Sequence, residues 1–297
     1  MSPSSEREWL TAHGVRPRRA LGQNFLLDPR VPQQIVRRAA WDDAPVCEIG
    51  PGAGALTAEL LRGDRSVRAI EKDPALAALL EDRFREEVAA GRLRITIGDA
   101  LQVEWTPGEI PGSGVAPAGF WVTGNLPYVI TTPLLLKALL QSRARGPAGE
   151  RRAAGAVFML QREYADRILA GPADEAYSSI SVWTAAHARA RLLLRVGRSS
   201  FWPRPGVESS VVELTFPDPP PFDGDFASLQ RILRAAFGQR RKTLENALAH
   251  GLDRTKESIR DLLLAAGCDP AARAETLDLA RFASLAARWK AAEAGLP

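Results

Sequence analysis

A four-residue segment, Asn125-Leu126-Pro127-Tyr128, has the residue types needed to hold an aromatic amine. An Asn side-chain oxygen and a backbone carbonyl held rigid by proline can each accept one N–H of such an amine. Two acceptors would draw the nitrogen towards tetrahedral geometry and aim its lone pair at an electrophile. The tyrosine ring could stack a base that has left its helix. The alternative is a proline turn after a strand, with Tyr128 packed in the core.

A glycine-rich segment upstream indicates a nucleotide-type cofactor. Gly50, Gly52 and Gly54 lie between a predicted strand and a predicted helix, where glycines let the backbone approach a ligand closely. Glu71 ends the next predicted strand, and a carboxylate there can accept both hydroxyls of a ribose. These features fit NAD and S-adenosyl-L-methionine equally, so they do not choose the ligand.

Further positions favour S-adenosyl-L-methionine. Glu48 opens an E-x-G-x-G-x-G pattern that is typical of methyltransferases. Asp99 follows the third predicted strand, where it could accept a hydrogen bond from the adenine amine of the cofactor or simply cap a turn. With the acceptor motif, this order predicts methyl transfer to the N6 amine of adenosine in RNA. The sulfonium leaves as a neutral thioether, so we expect no general base and catalysis by positioning and electrostatics.

The elements that must position these residues follow from the hydrophobic pattern. Short apolar runs alternate with amphipathic stretches from about residue 45, which predicts a parallel sheet with its ligand at the carboxyl ends of the strands. Strands are predicted at 46–49, 66–71, 92–97, 120–123 and 156–160, with a closing antiparallel pair at 192–196 and 210–216. Helices are predicted at 56–62, 74–88, 132–140 and 162–169.

A proline-rich stretch at 216–224 is typical of a linker, and the chain beyond it has a wholly helical pattern. The predicted fold class is α/β: a Rossmann-like S-adenosylmethionine-dependent methyltransferase fold with a small all-helical C-terminal domain. The predicted domains are a basic, cofactor-capping segment (1–40), the methyltransferase domain (41–218) and a helical RNA-binding domain (225–297).

Charge and composition indicate which partners and which cellular compartment to expect. Three basic clusters suit phosphate contacts, although a solvated surface would look the same: the arginines of 1–40, those of 178–207, and Arg240-Arg241-Lys242. No run approaches the roughly 18 apolar residues of a membrane span, and the first residues lack the apolar core of a signal peptide. The two cysteines and three histidines match no metal-ligand spacing. We therefore expect a cytoplasmic protein with no metal.

Two further segments, 21–28 (LGQNFLLD) and 201–209 (FWPRPGVES), narrow the family. With E-I-G-P-G-A-G and N-L-P-Y they resemble, in order and spacing, the KsgA-type small-subunit (16S) rRNA adenine N6-dimethyltransferases. The resemblance runs from about residue 16 to 216, and the helical tail fits the family's C-terminal domain. It implies dimethylation of two adjacent adenosines in a hairpin near the 3′ end of 16S rRNA, within an immature ribosomal subunit. It also implies a role in ribosome biogenesis, and we expect a monomer.

The resemblance also implies roles for individual residues. Those expected to bind the cofactor are Asn24 and Leu26 at its methionine end, Gly50 and Gly52 along it, Glu71 at the ribose, Asp99 at the adenine, and Asn125. Those expected to act on the target base are Asn125, Leu126, Pro127 and Tyr128, with Phe201 stacking from the other side. One departure is Val129, which stands where the family often carries a second Asn.

Three alternatives remain open at this stage. The macrolide-resistance-type 23S rRNA adenine N6-methyltransferases share the chemistry, but their acceptor motif more often reads N-I-P-Y, so Leu126 favours the small-subunit enzymes. A non-catalytic relative that acts as a transcription factor would not need an intact Glu71, Asp99 and N-L-P-Y. An NAD-dependent oxidoreductase would need a hydride-transfer constellation, which we do not find.

Overall fold

The computed structural model describes residues 3–18, 22–41, 44–63, 65–106, 119–144 and 153–294. Leu21, the first residue of the 21–28 segment, lies outside them. The strands are β1 (Phe25–Leu26), β2 (Val46–Ile49), β3 (Val67–Glu71), β4 (Leu93–Ile97), β5 (Phe120–Asn125), β6 (Ala153–Gln161), β7 (Arg189–Val196), β8 (Phe201–Trp202) and β9 (Ser209–Thr215). The helices are α1 (Pro3–Ala12), α2 (Arg30–Arg38), α3 (Ala55–Leu60), α4 (Pro74–Arg83), α5 (Arg85–Ala89), α6 (Thr131–Gln141), α7 (Arg162–Leu169), α8 (Ser179–His187), α9 (Phe226–Phe237), α10 (Leu244–Leu252), α11 (Lys256–Ala265) and α12 (Leu279–Ala294).

A seven-stranded sheet has the order β4-β3-β2-β5-β6-β9-β7. The first five strands of that order run parallel, and β9 pairs antiparallel with β6. The order reverses between β2 and β5, because the chain first extends the sheet on one side of β2 and then on the other. Such a switch point opens a crevice at the carboxyl ends of the strands. The predicted Rossmann-like α/β fold is confirmed.

The strands at the centre of the sheet are buried on both faces. All four residues of β2 are buried, as expected for a parallel strand that has helices above and below it. One face packs against α2, α3 and α4, with Ile35, Leu60 and Leu80 in a common apolar cluster with Val46. This packing fixes the position of the loop after β2, where the glycines lie.

The predicted helix 74–88 is divided in two. Asp73 caps α4 by accepting a hydrogen bond from the Ala75 N–H, with Pro74 at the first helical position. The helix ends at Phe84, whose backbone (φ −116°, ψ 36°) is not helical, and α5 follows directly. The apolar spacing does not reveal the break, because the break depends on one residue's backbone and not on the pattern of side chains.

The chain divides into two compact units, one of residues 1–165 and 190–217, the other of residues 166–189 and 218–297. The predicted boundary at 218–225 therefore differs from the structure over 166–189. Val182 and Ala186 of α8 belong to the apolar core of the helical unit, with Leu229, Leu248 and Phe282. A linker composition shows where the chain leaves the sheet, but not which core an earlier helix joins.

The helices of the second unit begin at side-chain caps. Asp225, Thr243 and Thr255 each accept a hydrogen bond from a backbone N–H in the first turn of α9, α10 and α11, respectively. The α9 and α10 backbones approach closely at Gly251, where a Cβ would lie 2.6 Å from the Ala235 Cα. None of the helices in the described part of the chain combines the length and the apolar character that a membrane span requires.

Candidate active site

A cleft at the carboxyl ends of β2, β3, β4 and β5 gathers most of the predicted site residues. Its walls include Asn24, Gly50, Gly52, Glu71, Asp99, Asn125, Leu126, Pro127 and Tyr128. These residues come from segments more than a hundred positions apart in the chain. The sheet brings most of them together because parallel strands end at one edge. The predicted clustering follows from the fold.

The glycine loop begins directly after β2. Gly50 and Gly52 have positive φ angles of 63° and 59°, which residues with a Cβ rarely adopt. A Cβ on Gly52 would also lie 3.2 Å from the Phe25 ring. The loop therefore needs glycine at this position both for its turn and for the close approach of β1.

Glu71, the last residue of β3, is buried, and its carboxylate closes one side of the cleft. One carboxylate oxygen accepts the Gly52 N–H at 3.1 Å and the other accepts the Asp73 N–H at 2.9 Å. Burial raises the pKa of this carboxyl, against the lowering effect of those backbone hydrogen bonds. Each oxygen of a carboxylate can accept a further bond, so Glu71 is oriented and can still receive hydroxyls.

Asp99 follows β4 on the same side of the cleft. Its carboxylate accepts from the Lys72 ammonium at 2.8 Å and from the Leu101 N–H at 2.9 Å. The hydrogen bond from Lys72 is the main reason that the pKa of this carboxyl is lowered. Asp99 thus caps a turn and also lines the cleft, so the two interpretations of this residue are compatible.

Asn125 ends β5 at the centre of the cleft. Its side-chain nitrogen donates to the Asn24 carbonyl at 2.9 Å, which joins the 21–28 segment to the acceptor motif. The Asn24 carbonyl can only accept a hydrogen bond, so the NH2 group of the Asn125 side chain must point towards it. This bond therefore fixes the orientation of the Asn125 amide. The side-chain oxygen is left as the acceptor that a substrate can use.

The residues after Asn125 form a tight turn. Leu126 donates its N–H to the Met159 carbonyl, and the Pro127 carbonyl accepts from the Ile130 N–H and the Thr131 hydroxyl, each at 3.1 Å. The Pro127 carbonyl is therefore engaged inside the turn. Of the two carbonyls, that of Leu126, next to the proline ring, is the better candidate for a substrate contact.

Tyr128 is half-buried at the wall of the cleft. Its hydroxyl and that of Ser209, the first residue of β9, form a hydrogen bond of 2.9 Å. Burial raises the pKa of the tyrosine hydroxyl, against the lowering effect of the hydrogen bond with Ser209. This bond holds the ring from its far end. Val129, the next residue, is 86% exposed.

The two outer motifs meet in a short antiparallel pair. In the register of β1 and β8, Leu26 faces Phe201 and Phe25 faces Trp202. Leu26 lines a smaller cavity beside the glycine loop, which shares Asn24, Gly50 and Asn125 with the cleft.

Phe201 does not lie where its predicted role requires. It is only 4% exposed, packs in the sheet's apolar core, and lines neither cavity. In this structure its contribution is to hold β1 and to fill the core. Base stacking by Phe201 would require the ring to move out of that core.

Phe25 and Ser209 are site residues that the sequence reasoning did not identify. Phe25 lines both cavities and packs against Gly52. Its place inside the 21–28 segment, between Asn24 and Leu26, could have indicated it. Ser209 closes the 201–209 segment, but the local pattern does not indicate its bond to Tyr128, because that bond joins residues 81 positions apart. No group of His, Cys, Asp and Glu suited to a metal occurs among the described residues.

Comparisons with known proteins agree with this geometry. Residues 14–289 match the family model described as ribosomal RNA adenine dimethylase. The ribosomal RNA small subunit methyltransferase A of Pelotomaculum thermopropionicum is 40% identical over 96% of this chain and 95% of that protein. The enzyme of the same name from Methylococcus capsulatus is 42% identical over 91% and 96%, respectively.

Solved structures show the same fold. A dimethyladenosine transferase from Plasmodium falciparum superposes with a TM-score of 0.70 at 26% identity, covering 88% of this chain and 95% of that one. The 23S rRNA methyltransferase ErmE superposes with a TM-score of 0.63 at 23% identity, covering 90% and 99%. On the family match and on relatives of about 40% identity over nearly the whole chain, this protein is a methyltransferase of the ribosomal RNA adenine dimethylase family.

Proposed function

We propose that this protein binds S-adenosyl-L-methionine in the cleft and dimethylates the N6 amine of two adjacent adenosines near the 3′ end of 16S rRNA. Glu71 would accept the ribose hydroxyls and Asp99 the adenine amine. Asn24, Leu26, Gly50 and Gly52 would surround the methionine end. S-adenosyl-L-methionine supplies the electrophilic methyl group when bound; the protein supplies the position and the acceptors.

The observation that carries the proposal is the hydrogen bond from the Asn125 side chain to the Asn24 carbonyl. It leaves the Asn125 oxygen as the acceptor for one N–H of the amine. The Leu126 carbonyl would accept the other, since that of Pro127 is engaged in its own turn. Two fixed acceptors favour a tetrahedral nitrogen, which is the geometry of the transition state and not of the free base.

The base itself would be held by Tyr128. Its ring is oriented by the bond to Ser209, which reduces the freedom that it loses when a base stacks on it. The proton released from the amine can pass to water, so none of the residues needs to act as a general base.

The substrate is inferred from the relatives. The curated relatives at about 40% identity carry a small-subunit name, whereas ErmE, a 23S rRNA methyltransferase, is 23% identical. We therefore favour small-subunit rRNA, within an immature ribosomal subunit, over 23S rRNA as the substrate. We propose that the enzyme acts as a monomer in the cytoplasm.

The test is mass spectrometry of both rRNAs after incubation with isotope-labelled S-adenosyl-L-methionine. Immature small subunits from cells that lack the endogenous enzyme and large subunits are treated in parallel, with Asn125→Ala as the inactive control. Labelled dimethyladenosine in 16S rRNA supports the proposal. Label confined to 23S rRNA would assign the protein to the resistance-type reaction, and no label in either would contradict the methylation proposal.

A further inference from the structure

A lysine on α6 organises the loop that carries Asp99. Three backbone carbonyls of this loop accept from the Lys137 ammonium: Ala100 at 2.8 Å, Leu101 at 3.1 Å and Val103 at 2.6 Å. An ammonium has three N–H donors, so all of them are used. The same group lies 4.9 Å from the centre of the Trp105 ring. Neither the glycine motif nor the acceptor motif points to this residue.

The loop held by Lys137 forms the adenine side of the proposed cofactor site. Asp99 and Ala100 line the cleft, and the Asp99 carboxylate accepts the Leu101 N–H within the same loop. The Trp105 indole N–H donates to the Ala100 carbonyl at 2.7 Å, so one carbonyl receives both Trp105 and Lys137. A loop with this many bonds to one ammonium has little freedom to place Asp99 elsewhere.

The position of Lys137 along the chain adds a second link. It lies nearly two turns into α6, and a single 3-10 turn, Tyr128–Ile130, joins the acceptor motif to the start of α6. A single ammonium therefore ties the helix that follows Tyr128 to the loop that follows β4. The charged groups that act on it are Asp99 and Glu104, with the buried Cys47 thiol, and partial burial lowers the pKa of Lys137. The acceptors of its three N–H groups are backbone carbonyls of the loop.

We propose that Lys137 is a positioning residue that gives the cofactor site its preference for adenine, by fixing the loop through which Asp99 meets the adenine amine. The proposal rests on the proposed use of S-adenosyl-L-methionine. In this proposal the loop contacts the adenine end of the cofactor, whereas the reacting methyl group lies at the other end. The loop should therefore affect the binding of the cofactor and not the rate of methyl transfer. Loss of Lys137 should therefore raise the KM for the cofactor and leave kcat nearly unchanged.

The experiment compares the binding of S-adenosylhomocysteine and S-inosylhomocysteine, in which a carbonyl replaces the adenine amine, by calorimetry. The wild-type protein should prefer the adenine compound. Lys137→Met should weaken S-adenosylhomocysteine binding by about tenfold, which corresponds to about 1.4 kcal/mol, with much less effect on the inosine compound. Lys137→Arg, which keeps several donors, should restore most of the preference.

Two controls separate this role from a general loss of structure. Lys290→Met makes the same exchange on α12 and should leave both affinities unchanged. The double variant Lys137→Met with Asp99→Asn should bind about as weakly as Asp99→Asn alone, because both act on one contact. If Lys137→Met does not fold, Lys137→Gln is measured in its place, since its amide can serve only two of the three carbonyls.

The outcomes are distinguishable. An equal loss for both ligands, or additive effects of Lys137→Met and Asp99→Asn, would overturn the positioning role. Unchanged binding by a folded Lys137→Met would do the same. Failure of the wild-type protein to bind S-adenosylhomocysteine would instead contradict the proposed function on which the inference rests.

Discussion

At the scale of single residues, the site depends on which atoms are already engaged before a substrate arrives. The Asn125 nitrogen is bonded to Asn24 and the Pro127 carbonyl to its own turn. In the proposed mechanism, the Asn125 oxygen and the Leu126 carbonyl are therefore the two acceptors for the amine. Such preorganised acceptors do not have to reorient during the reaction. This preorganisation is usually the largest single contribution to the rate enhancement of an enzyme over water.

Asn125→Ala should lower kcat by about 10²–10³, the effect of removing one preorganised polar contact, with little change in RNA affinity. The reason is that the oxygen acts mainly on the tetrahedral nitrogen of the transition state. Single-turnover methylation at saturating cofactor measures the first quantity and filter binding the second. Near-normal turnover by a folded Asn125→Ala would rule out the two-acceptor mechanism.

Tyr128 should act through its ring, with its hydroxyl as an anchor. Tyr128→Ala should weaken productive base binding by roughly 1–3 kcal/mol, the usual worth of stacking on one base. Tyr128→Phe and Ser209→Ala each remove the same hydrogen bond from opposite ends, so both should keep most of the activity and resemble each other. Methylation rates of the three variants decide this. An inactive Tyr128→Phe beside an active Ser209→Ala would give the hydroxyl a role in the reaction itself.

At the scale of elements, β2 is joined to α3 through a buried carboxyl. Glu48 is fully enclosed, and its carboxylate accepts the Thr57 hydroxyl at 2.6 Å across the glycine loop. Burial raises the pKa of Glu48 to about 7, more than the bond from Thr57 lowers it. The acid that opens the E-x-G-x-G-x-G pattern is therefore hydrogen-bonded to a residue of α3, Thr57.

The raised pKa predicts a pH dependence of stability. Between the ordinary glutamate pKa and about 7, the folded protein holds a proton on Glu48 that the unfolded chain has released. This contribution is full below the unfolded pKa and is lost as the pH rises through 7. Glu48→Gln needs no proton and can still accept from Thr57. Its advantage over the wild type in the free energy of unfolding should therefore grow by about 3 kcal/mol as the pH rises from 4.5 to 8.

Urea unfolding at both pH values measures the difference. Glu86→Gln removes an exposed carboxylate from α5 and controls for the loss of one negative charge. An advantage of Glu48→Gln that is the same at both pH values would show that the carboxyl is not protonated in the folded state near neutrality.

The same elements show what the sequence could predict. The strands, the cleft and most of its residues follow from local patterns, because periodicity and glycine spacing are properties of short segments. The burial of Phe201, the bond between Tyr128 and Ser209, and the place of α8 in the helical core depend on partners distant in the chain. Lys137 shows the same limit, since its three acceptors lie more than thirty positions away.

At the scale of the whole molecule, some side chains of the basic clusters are bonded within the protein, and others could contact RNA phosphates. Arg191 is paired with Glu213, and Arg195 donates to the Ser210 hydroxyl at 2.9 Å. In the helical unit, Arg240, Arg241 and Lys242 are all exposed, and Arg240 donates to the Glu175 and Tyr177 carbonyls at 3.1 and 3.4 Å. The RNA-binding role of this unit remains a prediction, and these three neighbours allow it to be tested.

If the turn between α9 and α10 contacts phosphates, RNA affinity should fall with salt with a log–log slope of roughly 0.9 per phosphate on a duplex. Arg241→Ala with Lys242→Ala should then reduce that slope by up to about 2. Arg240→Ala is the matched control: it should lower the melting temperature, because two backbone carbonyls lose their donor, and change the slope less. Affinity for 16S rRNA fragments is measured between about 50 and 200 mM salt. Binding of S-adenosylhomocysteine is measured in parallel as a check on the cleft. A slope that the double variant leaves unchanged would make Arg241 and Lys242 ordinary surface charges and would move the RNA contact to another face of the protein.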